Sequence, residues 1–101
     1  MHDVNNLAAW DAALAAYLDS RHAIGRRYAK EESILGGLRD FLVRAGAPDL
    51  DAALFDRWRA QFFHLSASTR VIREQTVFKF CRYRGRREPG CFLPDRASLA
   101  G

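Results

Sequence analysis

The chain has 101 residues, 49% of them apolar and 12% aromatic, with a net charge of +4. That content excludes a disordered chain and is enough for a single core without metal or disulfide staples. Two cysteines at positions 81 and 91 and three scattered histidines match neither a CxxC pair nor a zinc set, and no apolar run approaches membrane-spanning length.

Asp3, Asn5 and Asn6 offer N-caps ahead of Leu7, Trp10, Leu14, Tyr17 and Leu18. That three-and-four spacing among alanines predicts a helix over about residues 6–22. Gly25 breaks the pattern. A second helix is expected to begin near Tyr28, with Glu31 and Glu32 suited to the positive end of its dipole. Its apolar line is Ile34, Leu35, Leu38, Phe41 and Leu42, and Gly46 and Pro48 end it. Gly36 and Gly37 inside this helix cost about 1 kcal/mol each relative to alanine, which suggests a close backbone crossing. Asp49 or Asp51 caps a third helix, whose expected buried line is Leu54, Phe55, Trp58, Phe62 and Leu65.

The fourth helix is the longest expected. Ser66, Ser68 and Thr69 form a cluster of capping residues, and no Gly or Pro follows until Gly85, read as the stop. At about 100° per residue, Val71, Val77, Phe78, Phe80 and Cys81 share one apolar arc. Gln75, Thr76, Lys79 and Arg82 lie on the other side, with Ile72 and Tyr83 among them. Beyond Gly85, Pro89, Gly90 and Pro94 forbid helix, so residues 86–101 read as an extended arm. No segment alternates with period two. Four helices with short connections make a compact all-α bundle over residues 1–85.

The charge is unevenly placed. Residues 1–66 carry eight basic and nine acidic side chains, and residues 67–101 carry eight and three. Arg21, Arg26, Arg27 and Lys30 form a second cluster with no acid inside it. Basic clusters on a balanced domain fit a polyanion, most often nucleic acid. No GxSxG, HExxH, P-loop or dinucleotide fingerprint is present, and Glu31 and Glu32 point about 100° apart on a helix. The residues offer no catalytic group, no metal site and no cofactor site. The first thirty residues lack the order of a signal peptide, and the two thiols read as free, so a cytoplasmic protein away from membranes is expected.

Several segments together resemble a known family. The run Tyr17-Leu18, Arg21, Ile24-Gly25 and Tyr28, followed by Glu31, Leu35, Leu38, Phe41 and Gly46, resembles the start of the core-binding domain of tyrosine recombinases, the phage-integrase family. The likeness is nearest to recombinases of transposons and integrative elements. Phe80-Cys81-Arg82-Tyr83 and the later Glu88-to-Asp95 segment resemble that domain's end and its connector. The resemblance covers about residues 10–96.

It implies a SAM-like bundle that forms one jaw of a clamp on double-stranded DNA, with the second and fourth helices facing the major groove and phosphates. Carried onto this chain, the DNA-binding residues are Arg26, Arg27, Tyr28 and Lys30 on helix 2 and Thr69, Arg70, Arg73 and Lys79 on helix 4, where the basic clusters also lie. The chain departs from the pattern at Glu74 and Arg84, which stand where such domains carry apolar core residues. The family's catalytic residues, an Arg, a Lys, an HxxR motif, a further His or Trp and a Tyr, cannot be assembled here. Neither His22 nor His64 is followed three positions later by Arg, and Tyr17, Tyr28 and Tyr83 are not candidates for the nucleophile. The implied partners are therefore DNA and a catalytic domain outside this chain, with room for further copies of the chain on DNA. The rival reading is a helical protein-interaction domain whose basic clusters are incidental.

Overall fold

The computed structural model describes residues 7–94 except 25–28, without the side chains of Ala23 and Ile24. Four helices follow in order: α1 (Ala8–Ile24), α2 (Ala29–Ala45), α3 (Ala52–Ala60) and α4 (Ala67–Arg87). No strand occurs among the described residues, so the all-α class holds. No described helix is long and apolar enough to cross a membrane. The chain divides into two units, Met1–Leu50 with α1 and α2, and Asp51–Gly101 with α3 and α4.

In the first unit, α1 lies two residues later than its spacing predicted. Leu7, Trp10 and Tyr17 are buried, as are Ile34, Leu35, Leu38 and Leu42 of α2. Phe41, expected among them, is only half-buried. Two ion pairs tie α1 to α2. Arg39 donates to both oxygens of Asp11, at 2.6 and 3.0 Å, and Arg21 donates to Glu31 at 3.2 Å. The hydrogen bond from Arg39 holds the Asp11 carboxyl below its ordinary range. The stabilisation is therefore present above that range and lost as pH falls through the lowered value. Burial, then the Glu31 carboxylate, push the Tyr17 phenol up.

Helix α2 stops where its sequence says it should. Gly46 takes a positive φ of 67°; its N–H bonds Val43 O and the Ala47 N–H bonds Leu42 O, both at 3.0 Å. This pair of bonds is the Schellman motif, and only glycine adopts that φ without strain. The close crossing expected at Gly36 and Gly37 is absent. A Cβ at either position would meet nothing within 4 Å, so neither glycine serves packing. Gly37→Ala should therefore raise stability by about 0.5–1 kcal/mol through helix propensity and unfolded-state entropy. A lowered midpoint in urea would show an obstruction there.

In the second unit, Asp51 is the cap of α3 rather than Asp49; its carboxylate accepts the Leu54 N–H at 2.8 Å. The helix is nine residues long, shorter than its apolar line implied. Phe62 and Leu65 fall in the following turn, where Phe62 N–H bonds Arg59 O at 3.0 Å and Leu65 N–H bonds Phe62 O at 2.9 Å. These three-residue closures tighten the chain as 3₁₀ turns do. The buried pair is Phe55 and Trp58, stacked at 6.0 Å, while Leu54, Phe62 and Leu65 are half-buried.

Ser66 caps α4, its hydroxyl accepting the Thr69 N–H at 3.3 Å. The predicted stop at Gly85 is not used. The helix continues to Arg87, and Glu88 closes it with its N–H on Arg84 O at 2.9 Å. Gly85 alone only weakens a helix, and its φ is not positive; termination waits for Pro89 and for Gly90, whose φ is 101°. Of the expected arm, Arg86 and Arg87 are helical, Cys91 N–H turns back to Glu88 O at 3.2 Å, and residues 95–101 lie outside the described residues. Phe92 packs on Phe55 at 5.9 Å.

Candidate nucleic-acid interface

The inward side of α4 decides what its outward side can do. Val77, Phe78, Phe80 and Cys81 are buried as predicted, but so are Glu74, Thr76 and Arg84. Thr76, expected on the polar side, satisfies its hydroxyl on Ile72 O at 2.7 Å. Arg84 donates to Glu88 at 3.2 Å. Glu74 is only 2% exposed, and its carboxylate lies 3.4 Å from Arg59 Nε of α3. The two departures from the family pattern thus occupy core positions all the same, each with an opposite charge beside it.

Glu74 is the only acid within α4. Its burial leaves the exposed face of the helix without a carboxylate. From Ile72 to Arg86 that face consists of Ile72, Gln75, Lys79, Arg82 and Arg86, all exposed and all within an arc of about 80° at 3.6 residues per turn. Among the described residues no carboxylate pairs with Lys79, Arg82 or Arg86. From Ile72 to Arg86 the stripe runs about 21 Å at 1.5 Å per residue, the length of roughly six base pairs.

The expected helix-4 residues separate into two groups. Lys79 belongs to the exposed stripe. Arg70 lies about 180° from Lys79 around the helix, and Arg73 about 120°. Both are half-buried and rest on aromatic rings of the α3–α4 connection, Arg70 at 5.9 Å over Phe63 and Arg73 at 4.5 Å over Phe62. Their Nε groups are buried without a hydrogen-bond partner, so the ring faces must offset that loss. The Thr69 hydroxyl accepts from Ser66 at 3.1 Å as part of the cap.

The helix-2 residues are placed only in part. Lys30 is exposed in the first turn of α2, while Arg26, Arg27 and Tyr28 lie outside the described residues. Arg21, from the same cluster, is tied to Glu31 and packs 5.8 Å over Tyr17. An acid just past the cluster's end therefore neutralises part of it.

Compared with known proteins, the chain matches no family model, no curated protein and no solved structure. The interface therefore rests on its own residues. Two of its cations, Arg82 and Arg86, were not among the expected DNA-binding residues. The signal that marks them is the 72-75-79-82-86 spacing, which is as regular as that of the apolar arc but made mostly of polar and basic residues.

Proposed function

We propose that this chain is a duplex-DNA-binding module that grips the double helix along the exposed face of α4. In the finer reading it serves a catalytic domain on a separate part of a tyrosine recombinase, and the sequence resemblance supports that step. The observation that carries the DNA reading is the stripe itself: three cations in register, unpaired among the described residues, with the helix's one acid buried beneath them. Cations so placed release condensed counterions when they meet phosphates, the main source of non-specific affinity.

Titration of a 20-base-pair duplex at two salt concentrations tests this. Affinity should fall steeply with salt. Alanine at Lys79, Arg82 or Arg86 should flatten the plot of log affinity against log salt by about 0.9 for each phosphate left without its cation. Arg39→Ala is the control, because that guanidinium is already held by Asp11; its slope should match the parent's. A specific observation favours a second reading as a protein-interaction domain: Phe63 is 60% exposed and Leu93 48%. Absence of DNA binding at low salt would support it.

A further inference from the structure

The basic stripe of α4 is not purely basic. Its N-terminal end holds Ile72, 43% exposed, and Gln75, exposed and with no side-chain hydrogen bond among the described residues. Thr76 and Val71 of the same helix turn inward at least in part, so the exposure of Ile72 is a local choice. If the helix needed only charge, an isoleucine among cations would add nothing but exposed apolar area.

A helix fits the major groove, where an A·T pair offers adenine N7 as acceptor, adenine N6 as donor and the thymine C5-methyl. A glutamine amide has one donor group and one acceptor and can engage N6 and N7 together. A branched aliphatic side chain can cover the methyl. Ile72 and Gln75 are three residues apart, a rise of about 4.5 Å against about 3.4 Å per base pair. They therefore address the same pair or its neighbour, while Lys79, Arg82 and Arg86 continue along the same arc toward phosphates.

Resting on the DNA reading above, we propose that α4 reads A·T pairs in the major groove, Gln75 taking the adenine edge and Ile72 the thymine methyl. The selectivity belongs to these two side chains, and the three cations set only affinity and register.

Atom-level changes in the DNA test this without knowledge of a target site. An alternating A·T duplex presents both bases at every step. The parent should bind it more tightly than an alternating G·C duplex of equal length. Uracil in place of thymine removes the methyl and should weaken the parent about fourfold, the worth of one buried methyl-sized group. Replacing adenine by 7-deazaadenine removes N7 and should weaken it about fivefold or more, the low end for a bidentate pairing. Ile72→Ala should lose the response to uracil and keep the response to 7-deazaadenine; Gln75→Ala should do the reverse. Both positions are exposed, so melting temperatures should stay within a few degrees. Salt-dependent binding that ignores both base changes, or variants that respond as the parent does, would overturn the assignment and leave the DNA reading standing. Failure of the parent to bind any duplex at low salt would overturn both.

Discussion

Trp58→Ala should lower the stability of the second unit by about 3–5 kcal/mol, the cost of emptying a well-packed large aromatic site. Trp58 is 2% exposed. Phe55 stacks beside it at 6.0 Å and Phe62 meets it edge-on at 5.2 Å. Truncation therefore removes the ring on which two others depend, within a helix of only nine residues. Such a helix is too short to persist without its packing. At about 4–8 °C per kcal/mol for a domain of this size, the loss should appear in thermal circular dichroism as a fall of more than 10 °C. A shift of only a few degrees would mean that the Phe55–Trp58 face of α3 is not what holds this unit together.

Glu74→Ala should be nearly as damaging, about 3 kcal/mol, because it removes one member of a buried ion pair and leaves Arg59 facing the core. Arg59 is not wholly dependent on Glu74. It also lies 3.3 Å from Asp56 and 5.4 Å over the Phe55 ring, so the lower end of the range for a broken pair is expected. The double variant Arg59→Met with Glu74→Leu should recover more than half of the loss, since well-packed apolar groups commonly replace a buried pair without penalty. Urea denaturation of the parent, the single and the double variant measures this directly. A double variant as unstable as Glu74→Ala would show that the pair, and not the burial of an unmatched charge, sets the stability. Because Glu74 lies beneath the stripe, the double variant should also keep the parent's salt dependence toward DNA.

Much of the fold was legible in the chain because the relevant chemistry is local. Asp51 and Ser66 sit three residues ahead of the N–H groups they cap, and Gly46 supplies the positive φ that ends α2. No tertiary partner is needed for any of these. The errors have physical causes as well. Gly85 resembles a stop, yet one glycine costs a helix only about 1 kcal/mol, and α4 runs through it. The apolar line through Leu54, Trp58, Phe62 and Leu65 has helical spacing, but the chain tightens after Ala60 and carries Phe62 and Leu65 out of the helix.

The candidate site was less legible than the fold. A helical wheel ranks residues by their own polarity, and on that ranking Arg70 and Arg73 belong outside and Glu74 and Arg84 do not belong inside. What the sequence by itself determined is the four described helices, their class, the Ser66 cap, the Gly46 stop and the basic excess of the C-terminal third. Only tertiary structure decided which charges remain available to a partner. A carboxylate can be buried when a guanidinium from another helix meets it, as Arg59 meets Glu74. A guanidinium can turn inward when a ring lies beneath it, as Phe62 lies beneath Arg73. Those encounters join residues several helical turns apart in the chain, and neither composition nor periodicity encodes them. Among the described residues Lys79, Arg82 and Arg86 have no paired carboxylate, and the one acid within α4 faces the other way.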